Sequence, residues 1–235
     1  MLDFTGRVVV VTGAAGNLGR AVVTSFLETG ATVCALDHRQ GRLAGIYPEV
    51  KDSLKFYEGV NSTDRAAMIA LGERIITELG PVDVLVNTVG GFTMGEQVHE
   101  ISAETWQQMI NMNVVSFLNA CAAFVPAMLA AGRGKVVSIG AGAALKGGAK
   151  MGAYAAAKSA LLRLTESMAA ELKTAHIQVN CVLPGTIDTP QNREAMPKAN
   201  FDQWVKPEQI AQAILLLSSD AADAITGVAL PVTGG

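Results

Sequence analysis

Apolar, largely β-branched runs alternate with segments of helical periodicity along the chain, and this alternation predicts a parallel sheet with helices on both faces. Four valines follow Arg7 without a polar break, as in a first strand, Arg7 to Val11, that is buried on both sides. A helix is expected from about Leu18 to Thr29, ended by Gly30. Ala31 to Leu36 and Leu54 to Val60 read as the second and third strands, and a helix from about Thr63 to Leu79 follows. Gly80 and Pro81 stop that helix, and Val82 to Asn87 is the fourth strand. Ser102 caps a helix to about Asn113, with a further apolar helix over Val114 to Ala131. Strands at Lys135 to Ile139, Ile177 to Leu183 and Val228 to Val232 complete a set of about seven, with helices at Met151 to Thr174 and Pro207 to Ser218. One irregular stretch, Pro184 to Lys206, gathers no core residues and has the length of a functional lid over about 185–206.

Composition narrows the picture. The 235 residues suit one α/β domain better than two, and half of them are apolar, enough to bury a sizeable core. Eighteen basic against twenty-one acidic residues, with no cationic run, exclude the footprint of a nucleic-acid binder or a membrane-surface patch. Cys34, Cys121 and Cys181 are far apart in apolar runs and read as buried free thiols, and the isolated His38, His99 and His176 read as surface residues, so no metal site is expected. No charged segment followed by an apolar run opens the chain, and no uninterrupted apolar stretch reaches eighteen residues. The expectation is a cytoplasmic protein without a membrane span.

Two segments carry the chemistry. Thr12-Gly13-Ala14-Ala15-Gly16-Asn17-Leu18-Gly19 lies between a β-branched strand and an apolar helix. Gly13 allows a tight turn, Gly16 lets the backbone approach a pyrophosphate, Gly19 permits close packing, and the phosphates meet the positive end of the helix. Asp37, about twenty residues on, accepts from ribose hydroxyls and repels a 2′-phosphate, which favours NAD(H) while His38 and Arg39 leave NADP(H) open. Tyr154 and Lys158, four apart on a helix, lie on one face. A free phenol has a pKa of about 10. A neighbouring ammonium is expected to lower it, so that Tyr154 exchanges a proton near neutral pH.

Together the glycine turn and the Tyr154–Lys158 pair resemble the short-chain dehydrogenase/reductase family, whose fold is a single Rossmann-like, doubly wound sheet spanning nearly the whole chain. The resemblance implies an NAD(P)-dependent oxidoreductase. It places Gly13, Ala15, Gly16, Asn17, Leu18, Asp37, Asn61, Asn87, Val89, Gly90, Tyr154, Lys158, Pro184, Gly185, Ile187 and Thr189 around the cofactor, with Lys158 hydrogen-bonded to the nicotinamide ribose and Ile187 and Thr189 beside the nicotinamide amide. Asn61 stands where the family usually has an aspartate. An asparagine seven residues after a tryptophan relays protons in the family, and that count selects Asn113 after Trp106, with Asn111 the lesser candidate. The apolar excess of Val114 to Ala131 and Met151 to Thr174, including Leu161, Leu164, Met168 and Leu172, either faces the sheet or pairs into a homodimer or homotetramer as in the family.

The chain departs from the family at one place. The serine thirteen residues before the tyrosine is Ala141 here, and Ser138 points to the opposite face of its strand. Its absence is shared by the dihydropteridine reductase branch, which is also similar around Val89 to Phe92, Ala141 to Lys158, and Leu183 to Trp204. That resemblance implies reduction of a quinonoid dihydropterin. A conjugated C=N acceptor takes a hydride and a proton on nitrogen without forming an alkoxide, so the serine is dispensable. Phe92 and Trp204 then either hold a flat ring or pack the lid, and Ala141 borders the substrate. The alternatives are another carbonyl or imine substrate, or a cofactor-binding protein without efficient chemistry.

Overall fold

The computed structural model describes residues 2–48 and 52–234. β1 (Val8–Thr12) leads through α1 (Asn17–Glu28) to β2 (Thr32–Asp37), and a short α2 (Arg42–Ile46) precedes β3 (Leu54–Glu58). α3 (Arg65–Leu79) then crosses back to β4 (Val84–Asn87). α4 (Ala103–Ile110) and α5 (Ser116–Ala131) lead to β5 (Gly134–Ile139), and α6 (Gly152–Leu172) to β6 (Ile177–Pro184). α7 (Pro190–Ala195) and α8 (Pro207–Ser218) precede β7 (Ala229–Val232).

All seven strands are parallel, in the order β3-β2-β1-β4-β5-β6-β7. The connections move outward from β1 through β2 to β3, then return to β4 on the other side. This reversal opens a crevice beyond the carboxyl ends of β1 and β4, the place where such sheets bind ligands. The alternation of side chains splits the core into two layers. Val9 and Val11 pack with Val22, Phe26 and Ile214 under α1 and α8. Val8 and Val10 pack with Met68, Ile75, Phe117 and Phe124 under α3 and α5. The valine run is therefore uninterrupted because both of its faces are covered.

The structure corrects two expectations. The two helices expected to meet at Asn113 and Val114 form one helix, Ala103–Ala131, joined by a π-helical turn over Asn111–Val115. No glycine or proline falls at the junction, and the wider turn accommodates Asn113, whose side chain bonds Met109 O and the backbone of Gly91. This helix contains an 18-residue window of mean hydropathy 2.0, long and apolar enough by composition to cross a membrane, in which Ser116 and Asn119 interrupt the apolar run. Half of that window is buried in the protein, and α5 packs against α3, so its apolar character is explained by the core. The second correction concerns 185–206. Val205 is fully buried with the α1 and α8 layer and forms a parallel bridge with Ile187, and Thr189 caps α7 by accepting from Asn192 N.

Other boundaries follow local chemistry. Ser102 Oγ accepts from Thr105 N and Asp64 Oδ1 from Ala67 N, caps worth about 1 kcal/mol each. The stripe on α6 faces the sheet: Leu161 and Leu172 are buried in the layer with α3 and α5, and Leu164 and Met168 are partly buried against it. The three cysteines are free and buried.

Candidate active site

At the crevice the chain turns sharply from β1 into α1. Gly13 has φ 66, which favours glycine, and a Cβ there would lie 3.0 Å from Thr88 Oγ1. A Cβ on Gly19 would lie 2.2 Å from Gly13 O, so helix and turn touch backbone to backbone. α1 begins at Gly16 with no side-chain cap, which leaves the first backbone N–H groups of the helix facing the crevice for an anion. Gly19→Ala is expected to force the turn open, costing about 1–3 kcal/mol of stability. A thermal melt and an NADH titration of the variant check this; an unchanged melt with unchanged NADH affinity would contradict the close packing.

Beside the turn lies a cavity of about 340 Å³ lined by Gly13, Leu36, Asp37, Val60, Asn61 and Val89, among others. Asp37 is buried at the end of β2. Its Oδ2 accepts from Ala15 N at 3.1 Å and its Oδ1 from Arg39 N at 3.1 Å. The carboxylate is thus fixed at the mouth of an adenosine-sized cavity, and Ala15 commits its amide to Asp37. Asn61 lines the same cavity, but its Oδ1 accepts from Thr63 N and Oγ1. Asn61 thus reaches the cavity with its carbonyl oxygen occupied locally. Asn87 Oδ1 accepts from Thr12 Oγ1 at 2.8 Å and ties β4 to β1, while its buried Nδ2 has no partner among the described residues. Uncapped helix, glycine turn, fixed carboxylate and adjoining cavity fit a dinucleotide.

On the other side of the crevice, Tyr154 and Lys158 rise from the first turns of α6. Lys158 is buried and donates to Ile139 O at 2.7 Å, where β5 ends. Burial lowers its pKa to about 8. The Tyr154 phenol moves the opposite way from expectation: burial pushes it up to about 12. The Lys158 ammonium sits 5.9 Å from the ring centroid and is held by the Ile139 carbonyl, so desolvation outweighs its attraction for a phenolate. Phe92 packs edge-on against the Tyr154 ring at 4.9 Å and remains 58% exposed.

Asn113 and Lys158 meet over Gly90. A Cβ on Gly90 would lie 3.1 Å from Asn113 Oδ1 and 3.2 Å from Lys158 Nζ, so a single point is within hydrogen-bond reach of both. Asn111 takes no part: its Oδ1 accepts from Gln107 Nε2 on the exposed side of the helix. Ala141 follows β5 in extended conformation with φ −166 and offers no side-chain donor, and Ser138 is buried in hydrogen-bond contact with Thr165 Oγ1 at 3.2 Å.

The 185–206 segment borders the site from β6. Pro184 ends the strand, and Gly185 packs against Thr233, where a Cβ would lie 2.8 Å from its carbonyl oxygen. Thr189 Oγ1 is committed to Asn192 N at 3.2 Å. Trp204 packs on Phe201 at 4.7 Å, with the Arg193 guanidinium on Phe201 at 4.7 Å and bonded to Asp188. Trp204 therefore belongs to a cluster within its own segment, whereas Phe92 touches Tyr154. One contact was not foreseen: Asn17 Nδ2 donates to Gln191 Oε1 at 2.7 Å, joining the phosphate turn to α7. His38, Ser62, Met68 and Met112 also line the adenosine-sized cavity. His38 adjoins Asp37, whereas Ser62 follows β3, Met68 lies in α3 and Met112 in the π-helical turn, and only the packing of these elements brings the last three to the cavity.

A glycine turn on an uncapped helix, a carboxylate at the end of β2 and a Tyr–Lys pair beyond β5 define a dinucleotide-dependent hydride-transfer enzyme. Residues 7–200 match the family described as short chain dehydrogenase, and the chain belongs to that family. It is similar to 3-oxoacyl-[acyl-carrier-protein] reductase FabG of Thermotoga maritima, 31% identical over 98% of this chain and 97% of the relative. The FabG of Escherichia coli strain K12 is 30% identical, covering all of this chain and 98% of the relative. Cis-4-hydroxycyclohexanecarboxylate dehydrogenase of Sinomonas cyclohexanicum is 31% identical over 99% of this chain and 97% of the relative. Among solved structures, gox2181 superposes with a TM-score of 0.92 at 25% identity, covering 99% of this chain and 96% of that one. The protein is an NAD(P)-dependent oxidoreductase of this family.

Proposed function

We propose that the enzyme reduces a flat, conjugated C=N acceptor of the quinonoid dihydropterin type, with NADH preferred over NADPH. The observation that carries this reading is the pairing of an intact Tyr154–Lys158 couple with Ala141, which leaves a proton donor but no hydroxyl for a developing alkoxide. Phe92, exposed and edge-on to Tyr154, supplies an aromatic wall for a flat ring. The uncapped amides of α1 would hold the pyrophosphate and Asp37 the adenosine ribose, with Ile187 and Thr189 serving the nicotinamide. A bound dihydronicotinamide supplies the hydride. Tyr154 gives its hydroxyl proton to the acceptor nitrogen, so the acceptor gains two electrons and one proton beyond the hydride's own hydrogen. The Lys158 ammonium stabilises the phenolate left behind, and the point over Gly90 shared with Asn113 is the route by which solvent returns the proton.

The remaining expectations fit this reading. Asp37 repels a 2′-phosphate and favours NADH. The 185–206 segment acts as a lid, with Asn17–Gln191 as its contact to the phosphate turn. The enzyme works as a homodimer or homotetramer, and its buried free thiols suit a reducing cytoplasm. A second reading, reduction of 3-oxoacyl thioesters, is favoured by the names of the FabG relatives.

The deciding experiment is NADH oxidation with freshly generated quinonoid dihydropterin beside 3-oxoacyl thioesters and simple ketones. Fast turnover restricted to the pterin is the expected result. Turnover restricted to thioesters or ketones would overturn the assignment and favour the second reading.

A further inference from the structure

The turn from β1 into α1 is gripped from behind by two side chains. Tyr47 Oη, just beyond α2, donates to Ala14 O at 2.9 Å, and Arg20 Nε, near the start of α1, donates to Ala15 O at 3.1 Å. A peptide unit is planar and trans, so fixing its carbonyl fixes the N–H at its other end. The Ala14–Ala15 unit is held at both ends, by Tyr47 on the oxygen and by Asp37 Oδ2 on the Ala15 N–H. The Ala15–Gly16 unit is held likewise, by Arg20 on the oxygen and by Gly13 O, which accepts from Gly16 N at 2.9 Å. Neither of these consecutive peptide planes can rotate without breaking hydrogen bonds at both of its ends.

α1 opens immediately beyond them, and the N–H groups of Asn17 and Leu18 are the first that the uncapped helix leaves for an anion. Their direction is inherited from the two fixed planes. The same bonds turn the Ala14 and Ala15 carbonyls towards Tyr47 and Arg20, so neither oxygen is left to face a diphosphate. Tyr47 is well anchored for this task. Its ring packs on Phe56 of β3, with centroids 6.0 Å apart, and against the layer under α1 and α8. Burial pushes its phenol up, so the hydroxyl stays protonated and donates throughout the neutral range.

We propose that Tyr47 and Arg20 are positioning residues for the cofactor, which hold the turn carbonyls back and aim the α1 amides at its diphosphate before it binds. Both act through the backbone they grip rather than by contact with the cofactor. A turn already in its binding shape needs no further ordering on association, and affinity gains accordingly. This role rests on the reading that the diphosphate lies at α1. Substitution Tyr47→Phe removes the hydroxyl alone and keeps the ring on Phe56, so it frees the Ala14 carbonyl while preserving the packing around it.

The test is titration calorimetry of NADH, ADP and adenosine into the native enzyme and the variants. In Tyr47→Phe, NADH and ADP are expected to weaken by about three- to tenfold, as loss of one hydrogen bond implies. Adenosine carries no phosphate and is expected to bind both proteins equally. In steady state the KM for NADH should rise by the same factor while kcat at saturating NADH is retained, the signature of lost binding without lost chemistry. Arg20→Met is expected to weaken NADH and ADP similarly, and the loss should persist at about 1 M salt, where long-range attraction by the guanidinium is screened. A loss that vanishes in salt would remove Arg20 from the role. Equal weakening of all three ligands in Tyr47→Phe, or a lowered melting temperature with unchanged NADH and ADP affinity, would overturn the proposal and leave a purely structural brace. ADP binding the native enzyme no more tightly than adenosine would overturn the placement of the diphosphate at α1, and this role with it.

Discussion

Tyr154→Phe is expected to lower acceptor reduction by about 10²- to 10⁴-fold, the contribution of a positioned general acid. The substitution removes one hydroxyl and keeps the ring that Phe92 packs against at 4.9 Å, so the fold and NADH affinity are expected to survive. The pH dependence follows from the neighbouring lysine. With its phenol pushed up to about 12, Tyr154 stays protonated through the neutral range, whereas Lys158 loses its charge as pH rises through about 8. The charged lysine is the form that stabilises the phenolate product, so reduction should be fullest below about pH 8 and decline above it. Residual turnover in Tyr154→Phe should lack that step. Steady-state rates between pH 6 and 10 for both proteins decide the matter. Full activity in the variant would mean that a binding function, rather than proton transfer, is what this pair serves.

Ala141→Ser is expected to act in the opposite direction. Position 141 follows β5 two residues beyond Ile139, whose carbonyl holds Lys158. A hydroxyl placed there supplies the donor that a developing alkoxide requires, and one such donor is worth about 10²- to 10³-fold in rate. Reduction of 3-oxoacyl thioesters or simple ketones should rise by about that factor, while reduction of the conjugated C=N acceptor should change little. Comparing kcat/KM for both classes in the native enzyme and the variant provides the check. A native enzyme that already reduces ketones rapidly, with no gain from serine, would show that another group fills the role.

Most of the fold was legible because periodicity is a local property. The valine run of β1, the glycine after α1 and the Gly80-Pro81 break all act within a few residues of where they stand. The junction between α4 and α5 was not legible. Its π-helical turn follows from Asn113 bonding the Gly91 backbone, twenty-two residues away. The same limit applied to 185–206, where the buried Val205 is isolated in sequence and joins the core by packing with the α1 and α8 layer and by its bridge to Ile187. At the site, the positions of Tyr154, Lys158 and Asp37 followed from spacing. Their electrostatics did not: the phenol moves up rather than down because burial, a consequence of packing, outweighs the nearby ammonium.

The anchoring of Asp37 has a consequence for how this enzyme could change its cofactor. In the proposed reading the carboxylate discriminates between ribose and phosphate, yet its two oxygens also hold Ala15 in the glycine turn and Arg39 beyond β2. Selectivity and the shape of the turn therefore share one side chain. A lineage or an engineer moving towards NADPH cannot simply delete the negative charge with a small apolar residue, because the turn would lose its brace with it. The accessible path runs through neutral residues that still accept hydrogen bonds, asparagine first, and only then to a cationic partner at Arg39 that can reward the added phosphate. Mutational order, rather than the number of changes, is the barrier that this geometry sets.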